Sequence, residues 1–473
     1  MIVHHRAVRS VGSADVVVVG AGGCGLAAAL EATQRGAHVA LLEGDAAAGG
    51  STAASSGLVA AAGSDLQGRA GMRAPPEALL EDLRAAGSVV DGITRTLIET
   101  SGALVDWLVQ SGSPLEPVLD YRYPEHSRPW LVAPPSRRGA EVVASLLEAI
   151  GRTRVDLRLR TVAEGLLVDD QGGVCGVVVA SPDGPAGLRA DAVVLATGGF
   201  ASNAAMVGAW IPGAAGAVPV AAPGCRGDGI RWAQAMGAQV AAMDGVQFHP
   251  SIIVPERVFL SAALVNAGAL HLNEAGRRFG DETKGYGAHG LAMLAQRAVY
   301  EVFDDAVLAE AGRHVPRTAD ARGLLHRCRS VEDLARFIGA PFDVVADTLE
   351  AFNAAAAGAP DPFGRTRFGA PLRPPLWAVR VAPGLVQTLG GLVVDAQARV
   401  LATGGKPIPR LFAGGEAVAG PARRTDAYVA GTGLLAAFGL GRLAGRGAAG
   451  AADRLEARAE RGEGVRSGRD EQP

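Results

Sequence analysis

Residues 15–43 read DVVVVGAGGCGLAAALEATQRGAHVALLE, and this stretch decides the fold class of the chain. Its apolar, β-branched start, Asp15–Val19, predicts a buried strand of a parallel sheet. Three glycines, Gly20, Gly22 and Gly25, follow in G-x-G-x-x-G spacing and open an Ala- and Leu-rich helix. A glycine-rich turn between a strand and a helix is typical of dinucleotide-binding domains.

Each glycine in this turn has a physical purpose. Gly20 permits the tight turn, Gly22 lets a pyrophosphate approach the backbone, and Gly25 lets the helix pack against the strand. The helix is expected to end at about Arg35, and the N–H groups at its start can face the phosphates. A second strand is predicted at His38–Leu42.

Glu43 follows that second strand directly, 18 residues after Gly25. A carboxylate at this distance can accept hydrogen bonds from the ribose 2′-OH of an adenosine. Glycine is common in the chain (65 of 473 residues), but a strand, a helix and an acid in this order argue against a chance glycine-rich turn. The sequence therefore predicts a dinucleotide-binding protein.

The composition excludes several classes of protein. A chain of 473 residues is long enough for about two or three domains. It has 45 Lys and Arg against 48 Asp and Glu, a formal net charge of −3, and no basic block that would indicate a nucleic-acid partner. No run of 18 strongly apolar residues is present, so we expect no integral membrane segment.

The cysteines and the N-terminus indicate a cytoplasmic location. The four cysteines are scattered, without CxxC or CxxCH motifs, so we expect no metal site, no iron–sulfur cluster and no attached haem. They fit a reducing compartment. Met1–Ser13 is too polar and too short for a secretion signal.

Small residues mark further places where the backbone is expected to approach a cofactor. Gly49–Gly57 is rich in Gly, Ser and Ala, and we expect it to be irregular. Asp191–Ala196 is a predicted strand that ends on Thr197–Gly199. Asp228 is expected to be the N-cap of a helix that continues to Met236.

The composition changes at Gln247, where a mixed α+β insert is predicted. The sequence pattern of the dinucleotide-binding domain, small and apolar residues, returns at Gly390–Val394. A final helix is expected from Gly431 to about Ala448, and the charged segment after it is expected to be frayed or disordered.

With these landmarks in place, the chain resembles the FAD-binding flavoproteins of the succinate dehydrogenase and fumarate reductase type. That group includes the 3-ketosteroid dehydrogenases and related ketone desaturases. The resemblance covers about residues 14–448, and the motifs that carry it fall in the family order. These motifs are the fingerprint ending at Glu43, GGST at Gly49–Thr52, ATGG at Ala196–Gly199, GDGI at Gly227–Ile230, QFHP at Gln247–Pro250, NEAGRRF at Asn273–Phe279, TLGG at Thr388–Gly391, FAGGE at Phe412–Glu416 and GTGLL at Gly431–Leu435.

The resemblance implies an α/β fold with a Rossmann-like FAD-binding domain built from two chain segments, 12–246 and 387–448. An α+β capping domain would be inserted at 247–386, and a charged tail, expected to be disordered, would occupy 449–473. It implies FAD rather than NAD as the cofactor. Binding would be non-covalent, because covalent members carry a histidine near the start of the GGST-like segment, which this chain lacks.

Similarity also suggests roles for individual cofactor residues. Glu43 would hold the adenosine ribose, and Glu416 would lie on the ribityl–pyrophosphate part. The backbone of Leu434 and Leu435, at a helix N-terminus, would face the N1/O2 side of the flavin, where a helix dipole stabilises the reduced anion. The residues expected at the cofactor are Gly20, Gly22, Gly23, Gly25, Glu43, Gly50, Ser51, Thr52, Ser56, Gly57, Ala196, Thr197, Gly198, Asp228, Glu416, Gly433, Leu434 and Leu435.

The expected substrate site departs from the dicarboxylate pattern of the family. Fumarate-reducing relatives clamp a dicarboxylate with two histidines and an arginine, and they use another arginine as proton donor. His249 matches the first histidine, but the second falls on Gln387. The two arginine positions fall on or near Tyr286 and Tyr428, and Val265 stands where a proton-relay arginine would be.

These changes favour a neutral substrate, because arginine offers a carboxylate a bidentate cationic fork and tyrosine offers one neutral hydroxyl. Arg423 and Arg424 lie close by in sequence and could restore a carboxylate site. Two tyrosines in these places resemble the ketosteroid dehydrogenase branch. We therefore expect Tyr286 to transfer a proton and Tyr428 to donate to a carbonyl, with Tyr121 as a third catalytic candidate beside His249.

The sequence thus predicts an FAD-dependent oxidoreductase that acts on a CH–CH bond next to a carbonyl. The favoured reaction is desaturation of a (cyclic) ketone, by abstraction of the α-proton and transfer of the β-hydride to flavin N5. The alternatives are a fumarate reductase-like ene or enoate reductase acting on a carboxylic acid, and a flavoprotein subunit without turnover. Partners would be a small ketone or unsaturated carbonyl and an external electron acceptor.

Three residues of the insert are given structural roles by default. Glu282 is expected to brace the capping domain against the FAD-binding domain. His271 and His289 are expected to be ordinary buried histidines.

Overall fold

The structure is a computed structural model that describes residues 1–119, 122–123, 125–311 and 323–460. The strands are β1 (Ile2–His4), β2 (Arg9–Val19), β3 (Val39–Leu42), β4 (Val59–Ala60), β5 (Glu116–Pro117), β6 (Leu131–Ala133), β7 (Asp156–Arg158), β8 (Ala163–Val168), β9 (Val174–Val179), β10 (Ala186–Leu195), β11 (Val218–Pro219), β12 (Val240–Ala241), β13 (Val246–Ile253), β14 (Val258–Phe259), β15 (Leu270–Asn273), β16 (Val299–Asp304), β17 (His326–Cys328), β18 (Leu376–Thr388), β19 (Gly391–Leu392), β20 (Arg399–Leu401) and β21 (Pro407–Ala413). The α-helices are α1 (Gly23–Thr33), α2 (Gly50–Ala54), α3 (Asp65–Arg69), α4 (Pro76–Ala85), α5 (Gly92–Glu99), α6 (Ser101–Gln110), α7 (Gly139–Gly151), α8 (Ala204–Trp210), α9 (Asp228–Ala235), α10 (Ala263–Ala267), α11 (Gly285–Leu294), α12 (Asp305–Ala311), α13 (Val331–Ile338), α14 (Phe342–Ala356) and α15 (Thr432–Glu460).

The first sheet is built around β2, the strand before the glycine turn. Its order is β1-β8-β9-β10-β2-β3-β7, with β21 beside β10 and β20 beside β21. Strands β21, β10, β2, β3 and β7 run parallel, whereas β9 is antiparallel to both β8 and β10. Because β20 and β21 come from the far end of the chain, the predicted Rossmann-like domain of two chain segments is confirmed.

The valines of β2 explain why this strand is central. Val16 and Val18 pack into the core on one face of the sheet, and Val17 and Val19 pack into the core on the other. A strand with both faces covered needs a continuous apolar run, which is why its sequence does not alternate.

Two glycines of the turn are required by close packing. At Gly20, φ is +99°, and an added Cβ would lie 2.4 Å from the Ala196 carbonyl oxygen. At Gly25, an added Cβ would lie 1.7 Å from the Gly20 oxygen. The turn and the helix α1 can therefore approach each other only because both positions lack a side chain.

A second sheet lies in the insert and is mostly antiparallel. Its order is β14-β13-β18-β16-β15, with β11 and β17 also paired to β18. A separate apolar core, drawn from residues between Ile253 and Val381, packs its strands against α13 and α14. The predicted α+β insert is thus present.

Several local predictions are corrected by the structure. Gly49–Gly57 contains the short helix α2 rather than being wholly irregular. Residues 76–110, where the sequence predicts two helices, form three, because the chain breaks at Thr100 between α5 and α6. Asp228 is the first residue of α9, and Gly227, with φ +74°, is its N-cap.

The last helix is longer than predicted. It continues to Glu460 instead of ending near Ala448, so the frayed segment expected from residue 449 is wrong for residues 449–460. Residues 461–473 lie outside the described part of the chain. No helix in the described ranges is both long enough and apolar enough to cross a bilayer.

Candidate active site

A large cavity opens where the parallel strands of the first sheet end. Its volume is 1910 Å³, against roughly 300–1,000 Å³ for a typical small-ligand pocket. The carboxyl ends of β2, β3, β10 and β21 border it, and so do residues of β13, β14 and β18 from the second sheet. The cavity therefore has room for a dinucleotide and a further small molecule between the two sheets.

Most residues predicted at the cofactor line this cavity. The lining members are Gly20, Gly22, Gly23, Glu43, Gly50, Ser51, Thr52, Ser56, Ala196, Thr197, Gly198, Asp228, Glu416, Gly433 and Leu434. Their direct contact with a cofactor stays a prediction, but the structure brings them to one surface.

Three predicted residues do not line the cavity, and each has a packing reason for its identity. Gly25 admits the close turn described above. Gly57 has φ +71°, and a Cβ there would lie 2.8 Å from Pro134 Cδ. Leu435 is fully buried, and its N–H donates to the Gly431 oxygen at 3.1 Å within the first turn of α15.

The backbone at the start of α1 is open to the cavity. A Cβ on Gly22 would meet nothing nearer than the Gly49 oxygen, 3.8 Å away. The N–H of Gly23 is already taken, since it donates to Thr52 Oγ1 at 3.2 Å. This uncovered backbone is the kind of surface that a pyrophosphate needs for close approach.

Glu43 is held in place at the end of β3. Its carboxylate accepts N–H hydrogen bonds from Ala21, at 2.8 Å, and from Asp45, at 3.0 Å. The side chain is half-buried and lines the cavity. A carboxylate fixed in this way keeps acceptor capacity for a ribose hydroxyl.

Glu416 lies at the end of β21, where its environment alters its charge. Its Oε1 accepts the Thr388 N–H at 2.9 Å. Burial raises the pKa of Glu416 to about 7. Near neutral pH the residue is therefore present in both protonation states, and the protonated form can donate a hydrogen bond into the cavity.

The N-terminus of α15 also faces the cavity. Gly431, with φ +83°, makes the turn before it, and a Cβ there would lie 2.6 Å from the Ala60 nitrogen. Gly433 and Leu434 line the cavity in the first turn of the helix. The positive end of the helix dipole is thus directed at the space where negative charge would be stabilised.

His249 is a neutral side chain on the cavity wall. Its Nδ1 accepts the Ser251 N–H at 3.2 Å, so the neutral ring carries its proton on Nε2. The ring packs edge-to-face on Phe259, with 5.1 Å between centroids. Burial lowers the pKa of His249 to about 4, so this residue can donate a hydrogen bond but brings no positive charge at neutral pH.

Tyr428 is half-buried on the same wall, and its hydroxyl interacts with the Gly433 N–H and with the Gln387 side chain. The N–H can only donate, so the tyrosine oxygen is the acceptor of that hydrogen bond. Burial raises the pKa of Tyr428, which keeps the hydroxyl protonated.

Gln387 and Gln247 complete this neutral group of side chains. Gln387 Nε2 donates to Gln247 Oε1 at 2.6 Å. The two residues are direct partners in the β13–β18 ladder, and both line the cavity. Sequence reasoning named Gln387 only as the place of a missing histidine and gave Gln247 no role.

The structure describes Tyr286 only in part and does not describe Tyr121. Tyr286 is in the first turn of α11, but its side chain lies outside the described part of the structure. Tyr121 lies outside the described residues altogether. Tyr123, from the same segment, lines the cavity and was not predicted to do so.

The two arginines considered as a carboxylate site do not line the cavity. Arg423 is hydrogen-bonded to Asp91, and Arg424 is paired with Asp426 at 2.6 Å. Each guanidinium is therefore engaged by a carboxylate elsewhere. The predicted compensation for the missing arginine is not supported by these contacts.

Glu282 does not brace one domain against the other. It accepts hydrogen bonds from Arg278 and Arg365, each at 2.9 Å, and from the His271 N–H at 3.3 Å, all within the insert. Burial would raise the pKa of Glu282, but the two arginines lower it to about 2. The expected role is wrong, and the residue instead ties together three parts of the insert.

Among the described residues, one histidine–carboxylate cluster outside the cavity has ligand atoms close enough together to hold a metal ion. His4 Nε2 is 2.9 Å from Asp170 Oδ1, and His5 is close by. Both histidines accept an N–H at Nδ1, from the Arg6 backbone and from the Arg189 side chain. Their Nε2 atoms therefore carry the protons, and His4 Nε2 can donate to Asp170 at 2.9 Å, whereas His5 Nε2, 3.8 Å away, is beyond hydrogen-bond distance.

The fold and the cavity define a dinucleotide-binding flavoprotein, with a cofactor surface on the first sheet and a neutral polar wall on the second. The chain belongs to the FAD binding domain family, which it matches over residues 15–431. The residues present fit FAD, because the uncovered glycine backbone, the fixed Glu43 carboxylate and the start of α15 all face one cavity.

Comparisons with known proteins agree with this assignment. A fumarate reductase (cytochrome) from Shewanella frigidimarina is 31% identical over 420 residues, covering 86% of this chain and 72% of that protein. The open conformation of a flavocytochrome c3 fumarate reductase superposes with a TM-score of 0.82 at 29% identity, covering 94% of this chain and 79% of that one. A 3-ketosteroid-Δ4-(5α)-dehydrogenase from Rhodococcus jostii RHA1, in complex with 4-androstene-3,17-dione, gives 0.73 at 28%, covering 93% and 98%.

These similarities establish the general class of the protein. It is an FAD-dependent oxidoreductase that acts on CH–CH or C=C bonds of small molecules. The solved structures confirm the resemblance to both the fumarate reductase and the ketosteroid dehydrogenase branches.

Proposed function

We propose that the protein oxidises the CH–CH bond next to a ketone carbonyl, or catalyses the reverse reduction. The observation that carries this proposal is the neutral wall made by Gln247, His249, Gln387 and Tyr428. A dicarboxylate held by this wall would find no cation among these four residues at neutral pH. A carbonyl oxygen needs only a hydrogen-bond donor.

The chemistry divides between the cofactor and the protein. FAD, when bound, supplies a two-electron acceptor for the hydride that leaves the β-carbon. The Tyr428 hydroxyl would donate a hydrogen bond to the carbonyl oxygen. This hydrogen bond lowers the energy of the enolate that forms as the α-proton leaves. The Gly433 N–H, which donates to the tyrosine oxygen, would strengthen this donor.

Two further roles follow from the same arrangement. His249, with its proton on Nε2, would donate to a second polar group of the substrate. Tyr286, at the start of α11, would take the α-proton, as its position in the family pattern suggests. A free tyrosine has a pKa near 10, so this base would need a neighbouring acceptor to remove its proton.

An ene or enoate reductase acting on a carboxylic acid is the second candidate. The 31% identity to a named fumarate reductase favours it. Against it stand the pairing of Arg423 with Asp91 and the neutral state of His249.

A titration of the flavin absorbance under anaerobic conditions separates the two candidates. Saturated cyclic ketones are added to the oxidised, FAD-loaded protein, and unsaturated acids are added to dye-reduced protein. Bleaching by a ketone, lost in Tyr428→Phe, would support the desaturase. Reoxidation by an unsaturated acid without any response to ketones would replace it with the enoate reductase.

Three further features belong to this proposal. FAD would be held non-covalently, since Ser51 lies where covalent relatives place a histidine and its hydroxyl accepts the Ala222 N–H. The FAD-binding domain would consist of residues 12–246 and 387–448, and the cap of residues 247–386. The separate apolar core of the insert, between Ile253 and Val381, falls wholly inside 247–386. A cytoplasmic location and an external electron acceptor complete it, and the four unpaired cysteines fit the former.

A further inference from the structure

The N–H and the carbonyl of Ala430, just before α15, are held by two consecutive residues from a distant part of the chain. Glu125 Oε1 accepts the Ala430 N–H at 3.0 Å, and His126 Nε2 lies 3.2 Å from the Ala430 oxygen. A carbonyl oxygen can only accept, so His126 carries its proton on Nε2 and donates this hydrogen bond. We call Glu125 and His126 the Ala430 clamp. Ala430 lines the cavity but neither residue of the clamp does, so the clamp holds the cavity wall from behind.

The His126 ring is buried and neutral. The residue is 3% exposed, and burial lowers the pKa of His126 to about 4. With the proton on Nε2, the ring leaves Nδ1 as an acceptor, and this buried atom has no hydrogen-bond partner in the described part of the structure. Such atoms are few in folded proteins. The ring orientation that serves Ala430 therefore leaves the other nitrogen unsatisfied.

The segment that carries the clamp is fixed on its other side by one carboxylate. Asp82 Oδ2, on α4, accepts the N–H and the hydroxyl of Ser127 at 2.8 and 3.0 Å. The same oxygen accepts the Trp130 Nε1–H at 2.6 Å. The His126 N–H donates to the Tyr123 oxygen at 3.1 Å, which closes a tight turn. The two side chains of the clamp therefore start from a fixed backbone.

The clamp changes the hydrogen bonding in the first turn of α15. In an α-helix each N–H donates to the oxygen four residues earlier, and the Leu435 N–H does so, to Gly431 at 3.1 Å. The matching acceptor for the Leu434 N–H is the Ala430 oxygen, which accepts from His126 instead. The Leu434 N–H makes no hydrogen bond to any residue that the structure describes. Because Leu434 lines the cavity, its N–H is left for a ligand there.

An unpaired N–H at the start of a helix is a donor for negative charge. By the resemblance to the family, the N1/O2 side of the flavin would face Leu434, and reduction of bound FAD adds negative charge on that side. Hydrogen bonds to a charged group are roughly twice as strong as those between neutral groups. The donor would therefore stabilise the reduced cofactor more than the oxidised one.

We propose that Glu125 and His126 raise the reduction potential of bound FAD by keeping the Leu434 N–H from pairing with Ala430. This inference rests on FAD lying at the start of α15. It goes beyond the proposed function, because it holds for a ketone and for an unsaturated acid alike. Both are positioning residues, since they act through the Ala430 backbone and transfer no proton or electron.

The first test follows the Leu434 N–H directly in FAD-loaded protein. With ¹⁵N-labelled leucine, NMR records the amide proton of Leu434 before and after anaerobic reduction by dithionite. We expect a downfield shift on reduction, because the hydrogen bond becomes charge-assisted, and a smaller change for Leu435, whose N–H stays on Gly431. A Leu434 signal that moves no more than the Leu435 signal would overturn the proposal.

The second test compares two substitutions of His126 by their reduction potentials, measured by equilibration with redox dyes. Glutamine can place an N–H where His126 Nε2 lies, whereas asparagine is one methylene shorter and cannot reach the Ala430 oxygen. We expect His126→Asn to lower the equilibrium constant for flavin reduction about tenfold, or about 30 mV for a two-electron couple. His126→Gln should stay close to wild type, and equal potentials in the two variants would refute the proposal.

His289→Asn is the matched control for the loss of a buried ring. His289 is also 3% exposed, but it lies in the insert and does not line the cavity. We expect this variant to keep the wild-type potential. An equal fall in His289→Asn and His126→Asn would show that the effect does not come from the contact with Ala430.

Substitutions of Glu125 separate its hydrogen bond from its charge. Burial raises the pKa of Glu125, and the titratable or charged groups that face it are Arg367 and Tyr428. Glu125→Gln keeps an oxygen for the Ala430 N–H and removes the charge, whereas Glu125→Met removes both. We expect the lower potential in Glu125→Met. Equal potentials, or the reverse order, would remove Glu125 from the clamp.

None of these measurements uses a substrate, because dithionite or a redox dye reduces the flavin. A wild-type protein that reacts with neither a ketone nor an unsaturated acid would refute the proposed function. The NMR shift and the potentials would still decide the role of the clamp.

Discussion

The two ends of the large cavity are built in different ways. At the cofactor end, backbone at the ends of β2, β3 and β10 forms most of the cavity surface, and each contributing segment is short and rich in glycine. At the substrate end, the wall consists of side chains, and Gln247 and Gln387 meet only because β13 and β18 pair in one register. Local spacing therefore builds the first end, whereas strand pairing between distant segments builds the second.

The largest effect is expected at the cofactor end from Gly25→Ala. The added Cβ would lie 1.7 Å from the Gly20 oxygen, so α1 must shift away from the turn. We expect a loss of about 3 kcal/mol in unfolding free energy and little retained FAD, measured by urea unfolding and by flavin absorbance. Gly68→Ala is the control, because nothing lies within 4 Å of a Cβ at that position. Equal FAD content in both variants would contradict close packing as the basis of this end.

At the substrate end, Tyr428→Phe should separate catalysis from cofactor binding. Loss of the hydroxyl removes the donor to the developing enolate, so we expect turnover to fall about 100-fold with FAD content unchanged. Tyr300→Phe is a suitable control, since Tyr300 lies on β16 of the second sheet and packs against Phe337 of α13. If Tyr428→Phe also released FAD, the two ends would not be independent.

Because of His249, we expect the stability of the folded protein to decrease at acidic pH. The pKa of His249 is about 4 when folded and about 6.5 when unfolded, so the unfolded state binds more protons between these values. We expect stability to fall as pH drops from about 6.5 to 4, and His249→Gln to remove part of that slope. Urea midpoints at pH 7 and pH 5 measure it, and identical slopes would show that His249 is not buried as a neutral group.

Glu416 should give the stability of the cofactor end the opposite dependence on pH. Its pKa is about 7 when folded and about 4.5 when unfolded, so the folded state binds more protons between these values and stability falls as pH rises from about 4.5 to 7. In flavin-free protein, we expect Glu416→Gln to be more stable than wild type by about 1 kcal/mol at pH 8 and by less at pH 5. A constant difference across this range would mean that Glu416 is ionised throughout.

Sequence reasoning succeeded where function follows from local spacing. The strand–turn–helix at Gly20–Gly25 and the position of Glu43 were predicted because a tight turn and a buried parallel strand restrict the residues that can form them. It was wrong about the cap of α9, where the left-handed Gly227 takes the N-cap position in place of Asp228. The role of Leu435 at the flavin stays a prediction, and its N–H donates to the Gly431 oxygen within α15.

The sequence also did not predict the ion pairs of Arg423 and Arg424. Arg423 and Arg424 are near Tyr428 in the chain, but each is bound to a carboxylate away from the cavity. The partner of Arg423 depends on the distant segment that brings Asp91 beside it, and no local pattern encodes that choice.

The sequence by itself determined a dinucleotide-binding fold, because glycine spacing and strand hydrophobicity act within a few residues of the chain. The resemblance to a known family implied FAD and a domain of two chain segments. Only the tertiary structure decided that the substrate wall is a neutral, hydrogen-bonded group, and that His271, His289 and Glu301 are linked to one another by hydrogen bonds. The register of β13 with β18 and of β15 with β16 sets these contacts, and register is fixed when two distant strands pair.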